Sequence, residues 1–305
     1  MQKTEIKKIL KENNIVALKS FGQNFLVSED AINKVITASK IEPADTVVEV
    51  GPGLGSLTFE IAKKAGKVIA IEKDRKMSSI LKQTLIDKKI NNVEVLNEDI
   101  LKIQNAKVKS QKYNSKVKSE DKKKNTDFKL PTTNYKVVAN LPYNIATAVV
   151  MKFLTSENPP QTMVVMLQKE VAQRIIAIPP KANKLAVFCQ LYSTPKIISY
   201  IPSTAFHPKP KVDSAILQLT PNGVSHMSDT CLTPIIGEVV NAGFSHPRKT
   251  LLNNFVRGLL SYNLSKESVV EWIKNAELDP SQRPQTLTIH NWLTLAKTLK
   301  TFHNN

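Results

Sequence analysis

Four short stretches carry residue types able to do chemistry. In "VVANLPYNIAT", residues 137–147, an apolar run ends in Asn140, Leu141, Pro142 and Tyr143. An exocyclic amine on a nucleobase is a poor nucleophile, because its lone pair is delocalised into the ring. An amide oxygen and a backbone carbonyl can accept its two hydrogens and let the lone pair point at an electrophilic methyl. Pro142 fixes the turn and offers no competing N–H. Tyr143 gives the base a flat face to stack on. Such a site works by positioning and desolvation rather than by a strong general base. Upstream, "VVEVGPGLGSLT" at 47–58 delivers Glu49 and then Gly51, Gly53 and Gly55 before a helix. Glycines let the backbone approach a ligand closely, and a helix N-terminus offers free N–H groups. G-x-G-x-G after an acidic residue within the strand departs from the G-x-G-x-x-G of dinucleotide sites. It is the pattern of enzymes that use S-adenosylmethionine (SAM). Glu72, about 20 residues beyond the glycines, suits a ribose diol, whose two hydroxyls need two acceptor oxygens. Asp99 in "NEDIL" could accept from the cofactor's adenine amino group, or simply cap a turn.

These residues must be held by strands that end together. "TVVEVG" (46–51), "KVIAIE" (67–72), "NVEVLNED" (92–99), "YKVVAN" (135–140) and "QTMVVML" (161–167) read as buried strands. Helical stretches at 57–66, 75–89, 145–155 and 168–178 alternate with them, so an α/β domain with a mainly parallel sheet is expected. Ser28 and two acids open a helix over 28–40, and residues 4–12 form a short basic helix. Residues 102–134, rich in Lys, Ser and Asn, read as a flexible basic insertion that is too polar to bury. "PNGVSHMSD" reads as a linker, which puts a catalytic domain at 1–222 and a small helical domain at 228–305.

The 305 residues carry a net charge of +17, as expected for a protein that meets a polyanion, most often nucleic acid. No apolar run reaches the roughly 20 residues of a membrane span, and "MQKTEIKKIL" lacks the apolar core of a signal peptide. Cys189 and Cys231 read as buried free thiols, and the five histidines give no metal signature. No metal, no membrane and a cytoplasmic setting are the expectations.

Taken in order, "FGQNFL", "VVEVGPGLGSLT", "NEDIL", "NLPYNIAT", "MLQKEVAQRI" and "FHPKPKVDSAILQL" make the chain resemble the rRNA adenine N6-dimethyltransferases, and most closely their KsgA/RsmA-type small-subunit branch. "FSHPRKTLLNN" and "RPQTLT" extend the resemblance to about residue 300. It implies a class I SAM-dependent methyltransferase domain, Rossmann-like with a seven-stranded sheet, followed by a helical domain. It implies transfer of two methyls to each of two adjacent adenines in a hairpin loop near the 3′ end of small-subunit rRNA, in ribosome biogenesis. SAM contacts would fall on Gln23, Asn24, Leu26, Gly51, Gly53, Gly55, Glu72, Asp99 and Asn140. Asn140, Leu141, Pro142 and Tyr143 would hold the adenine, with Phe206 stacked on its other face. The partner would be small-subunit rRNA within an immature subunit, met by a monomer.

Pro208 and Pro210 stiffen a loop whose Lys209 and Lys211 can meet phosphates; the alternative is a Pro-rich loop with Phe206 packed in the core. Lys169 and Arg174 face either RNA or solvent. Arg248 and Lys249 form a basic cluster at a helix start, suited to phosphate. Two departures from the family pattern stand near the substrate side: "KANKLAVFCQ", with Ala182, Asn183 and Ala186, and Ala146 in place of serine. The competing readings are a large-subunit rRNA methyltransferase of the antibiotic-resistance type and a non-catalytic RNA-binding assembly or transcription factor. The second would be expected to have lost Glu72, Asp99 and the glycines, which are all present.

Overall fold

The computed structural model describes residues 1, 3–13, 23–103, 130–131, 134–222 and 232–303. Most of the expected insertion (104–129 and 132–133), most of the expected linker, Gly22 and Cys231 lie outside these residues. In chain order the elements are α1 (Lys3–Glu12), β1 (Phe25–Leu26), α2 (Glu29–Ser39), β2 (Thr46–Val50), α3 (Thr58–Ala62), β3 (Lys67–Ile71), α4 (Arg75–Asp87), β4 (Val93–Leu96), β5 (Tyr135–Asn140), α5 (Ala146–Leu154), β6 (Thr162–Gln168), α6 (Lys169–Ile175), α7 (Lys184–Tyr192), β7 (Ser193–Ile201), β8 (Phe206–His207), β9 (Ser214–Pro221), α8 (Leu232–Gly243), α9 (Leu251–Gly258), α10 (Lys266–Asn275) and α11 (Ile289–His303). No helix among the described residues is long and apolar enough to cross a membrane.

Seven strands form one sheet in the order β4-β3-β2-β5-β6-β9-β7. β2 to β6 pair in parallel, and β9 runs antiparallel to β6. The apolar runs in the sequence are explained by burial on both faces: Val47, Val48, Val137, Val138 and every residue from Met163 to Leu167 are fully buried. The helices lock in as their caps predict. Ser28 accepts from the Ala31 N–H to start α2, and Asp74 accepts from Lys76 and Met77 to start α4. α2 lies across β5 and β6, and α4 packs on β4.

The chain divides into two compact units, 1–169 with 198–220 and 170–197 with 221–305. A single cut near residue 222 therefore differs from the packing, because α7 contacts α8 and α11 and belongs with the helices. The helical unit is built on aromatic rings. Phe244 stacks on Trp292 at 5.2 Å and Phe255 tilts against Trp272 at 4.7 Å, with both tryptophans fully buried. Cys189 is buried there, and burial pushes its thiol up to about 12, so it stays a thiol.

Candidate active site

A cavity of about 180 Å3 opens at the C-terminal ends of β2, β3, β4 and β5. Parallel α/β sheets bind ligands at this edge. Its walls bring together Gln23, Asn24, Leu26, Gly51, Gly53, Glu72, Asp99, Asn140, Leu141, Pro142 and Tyr143 from five separate stretches of chain.

The glycine turn follows β2 with positive φ at Gly51, Gly53 and Gly55 (69°, 56° and 90°). A Cβ on Gly51 would touch the Pro142 ring at 3.5 Å, so the glycine turn and the Asn-Leu-Pro-Tyr turn pack on each other. Gly55 has a different task from the one expected of it. It does not line the cavity. A Cβ there would meet Leu81 Cδ1 at 2.7 Å and the Phe59 ring at 2.8 Å. Gly55 is thus a packing glycine, letting the loop close onto α3 and α4. Gly55→Ala combines a left-handed backbone with overpacking and is expected to cost about 2–4 kcal/mol of stability, read by urea denaturation. A loss under about 0.5 kcal/mol would show that the loop simply shifts aside.

Glu72 is buried beyond the end of β3. Its Oε2 accepts from the Gly53 N–H at 3.0 Å and its Oε1 from the Asp74 N–H at 2.8 Å. Burial raises its pKa, while these two backbone donors pull it back down. Asp99 accepts from the Leu101 N–H at 3.0 Å and pairs with Lys73 at 3.0 Å. Gln23 donates to Asp74 at 3.0 Å, tying the stretch before β1 to the start of α4.

Glu49, inside β2, is fully buried. Its Oε2 has no hydrogen-bond partner among the described residues. Burial drives its pKa up to about 8; the nearby Thr58 hydroxyl opposes this and the Glu72 charge adds to it. A carboxyl kept protonated by burial at the wall of a cavity would give up that proton to pair with a ligand that brings positive charge. The free protein holds this proton between about pH 5 and 8, whereas the unfolded chain releases it near 4.5. Stability is therefore fullest at the acid end of that window and falls as pH rises towards 8, by at most about 1.4 kcal/mol per unit for one proton. Glu49→Gln is expected to flatten this slope when unfolding is compared at several pH values. An unchanged slope would mean that Glu49 ionises normally.

At the end of β5, the Asn140 Nδ2 donates to the Asn24 carbonyl at 3.0 Å. The amide is thereby oriented with Oδ1 free to accept. The Tyr143 hydroxyl is 2.8 Å from the Ser214 hydroxyl at the start of β9, which fixes the ring, and the ring is half-buried. Burial raises the Tyr143 pKa, so it stays a neutral phenol.

Phe206 corrects another expectation. It pairs with Leu26 across the β1–β8 ribbon and is only 3% exposed, packed with Leu26, Ile32, Ile201 and Ile216. Its ring belongs to the core rather than to the cavity wall. Of the basic candidates, Lys209 and Lys211 are exposed on the loop before β9, and Lys169 begins α6 over the ring of Tyr200. In the helical unit, Arg174 shares a shallow cavity with Lys181, Lys184 and Pro247, next to the exposed Arg248 and Lys249. The buried Asn254 side chain shapes that loop by accepting from the His246 N–H at 3.0 Å and donating to its carbonyl at 3.2 Å. Sequence reasoning missed Ser214, the Asn24 carbonyl and Tyr200. Only Tyr200 left a signal, in the alternation of "KIISYI".

A model of the ribosomal RNA adenine dimethylase family matches residues 16–300. The chain belongs to that family. Ribosomal RNA small subunit methyltransferase A of Dehalococcoides mccartyi (strain ATCC BAA-2266 / KCTC 15142 / 195) is 36% identical over 291 residues, 95% of this chain and 91% of its own. The protein of the same name from Alkaliphilus metalliredigens is 39% identical over 285 residues, 92% of this chain and 90% of its own. Among solved structures, a dimethyladenosine transferase from Plasmodium falciparum superposes with a TM-score of 0.71 at 24% identity, covering 91% of this chain and 98% of that one. The 23S rRNA methyltransferase ErmE gives 0.66 at 22%, covering 91% and 100%. These two likenesses are of fold. With the sheet order above, they give this dimethylase-family chain the class I methyltransferase fold, as expected.

The departures from the family pattern are absorbed locally. Asn183 caps α7 by accepting from the Ala186 N–H at 3.1 Å and donates to the Arg174 carbonyl at 2.8 Å. Ala146 is buried as the first residue of α5.

Proposed function

We propose that this protein is a SAM-dependent dimethyltransferase that converts two adjacent adenines, in a hairpin loop near the 3′ end of small-subunit rRNA, to N6,N6-dimethyladenine. The observation that carries this reading is Asn140, whose amide is turned by the Asn24 carbonyl so that Oδ1 can accept from an amine at the cavity mouth. The cavity fits SAM. Glu72 has lone pairs left for ribose hydroxyls, Asp99 can accept from an adenine amino group, and the turn at Gly51 and Gly53 leaves room for the amino-acid end. The uncompensated Glu49 carboxyl suits a cationic ligand. When bound, SAM supplies a methyl group activated by its sulfonium.

The chain's own residues do the rest. In the first transfer Asn140 Oδ1 and a backbone carbonyl of the Asn140–Tyr143 turn hold the two N6 hydrogens, which aims the lone pair. In the second transfer one N–H is left for one of these acceptors, and each transfer releases one N6 proton to solvent. Tyr143, held by Ser214, offers its ring to the base. Pro142 and Leu141 exclude water. The rate gain is one of orientation. A monomer acting on immature small subunits in the cytoplasm completes the reading, and the net charge of +17 supports the RNA partner.

The test uses tritiated SAM with small subunits that lack the modification, with large subunits and with naked rRNA, followed by nucleoside mass analysis. N6,N6-dimethyladenosine on small subunits alone is the expected result. Label on large-subunit RNA would move the protein to the resistance-type reaction. Tight salt-sensitive binding without label would leave an RNA-binding assembly factor.

A further inference from the structure

The C-terminal edge of the sheet carries a second exposed aromatic ring beyond the cavity. Tyr200, near the end of β7, keeps 48% of its surface in water, and Lys169 Nζ lies over its ring at 5.1 Å from the centroid. Ile198 (36% exposed) and Val212 (45% exposed) are further apolar residues left in water on β7 and on the loop before β9.

Hydrogen bonds place this patch relative to Tyr143. The Lys169 N–H donates to the Asp213 carbonyl at 3.0 Å, and the Ser203 N–H, just past β7, reaches the Asp213 carboxylate at 3.0 Å. The next residue, Ser214, holds the Tyr143 hydroxyl. Tyr143 and Tyr200 thus stand on the same edge: β5, which leads into the Tyr143 turn, and β7 are three strand spacings apart, or about 14 Å, and Tyr143 bridges part of that span by reaching Ser214 on β9, next to β7. The loop between β8 and β9 exposes Lys209 and Lys211, which form no ion pair among the described residues. Lys169, Lys209 and Lys211 outnumber the Asp213 carboxylate, so the strip carries a net positive charge.

We infer that Tyr200, backed by Lys169, is a second stacking platform for an unpaired base flanking the one presented to Tyr143, with Lys209 and Lys211 on the intervening phosphates. The inference rests on the RNA-methylating reading and adds to it a contact that selects for splayed, single-stranded RNA around the target. The chemistry of the strip favours RNA. An exposed aromatic beside cations that outnumber the one acid of the strip matches stacking of bases and neutralisation of phosphates. A protein partner would need a larger apolar area than these scattered residues provide.

The test compares the full-length protein with its Tyr200→Ala, Tyr200→Phe and Tyr200→Leu variants. The probe is a hairpin RNA with adjacent loop adenines flanked by 2-aminopurine. Two quantities are read: quenching of the probe on binding, and KM against kcat for methyl transfer. For Tyr200→Ala, loss of the quench and a rise in KM of roughly 10-fold or more are expected, with SAM affinity unchanged and kcat at saturating RNA within about twofold. Tyr200→Phe should behave as wild type, and Tyr200→Leu should fall with the alanine variant while keeping side-chain bulk. Wild-type quenching and KM in Tyr200→Ala would overturn the platform. So would a Tyr200→Phe variant as weak as Tyr200→Ala, since the hydroxyl would then be the contact. If the wild type transfers no methyl to any RNA yet shows Tyr200-dependent quenching, the methyl-transfer reading fails and the platform stands.

Discussion

Asn140→Ala is expected to lower kcat for methyl transfer by roughly 10²–10³-fold, the usual effect of deleting one preorganised hydrogen-bonding group at a reacting centre. The KM for RNA should change only a few-fold, because stacking on Tyr143 and phosphate contacts survive. The reason lies in the Asn24 carbonyl. It holds the Asn140 Nδ2 at 3.0 Å, so the acceptor oxygen is aimed before any base arrives. Asn140→Asp should be no rescue: an aspartate keeps an acceptor towards the amine but sets its second oxygen against the Asn24 carbonyl. Single-turnover rates at saturating SAM separate the two effects. A loss confined to KM would make Asn140 a binding residue and sink the orientation argument.

Glu72→Ala is expected to weaken SAM binding by roughly 100-fold or more, since hydrogen bonds to a charged group are worth about 1.5–3 kcal/mol each. Glu72→Gln should be nearly as damaging, which distinguishes two roles for this side chain. If Glu72 only met the ribose, an amide would keep half of its acceptors and much of the affinity. In the structure, however, both carboxylate oxygens already accept backbone N–H groups, from Gly53 and Asp74. A glutamine must turn its NH2 towards one of those donors. The glycine turn then loses its brace as well as a ligand contact. Calorimetric titration with SAM decides the matter, and a glutamine variant within a few-fold of wild type would show that the brace is dispensable.

The parallel strands were legible because burial on both faces leaves unbroken apolar runs, as in Met163–Leu167. Residues that terminate such runs fall at one edge, so Glu72, Asp99 and Asn140 could be grouped from the sequence alone. β7 was hidden because an edge strand that reads "STPKIISYI" carries a proline, a lysine and only partial burial. Phe206 and Gly55 were placed but given the wrong neighbours. A pattern of residue types records neither which way a ring turns across a two-residue ribbon nor whether a missing Cβ faces a ligand or Leu81. The grouping of α7 with the C-terminal helices depends on contacts between segments distant in the chain, on which local periodicity is silent.

The Asn24–Asn140 hydrogen bond spans 116 positions of sequence. All seven strands of the large sheet begin at or after Thr46. A chain trimmed to start after residue 24 would thus keep every strand of that sheet and yet lack the carbonyl that sets its acceptor. Such trimming would also take Ile6 and Leu10 from the core around Leu54 and Met77, so a nicked preparation is expected to lose turnover before it loses the strands of the sheet.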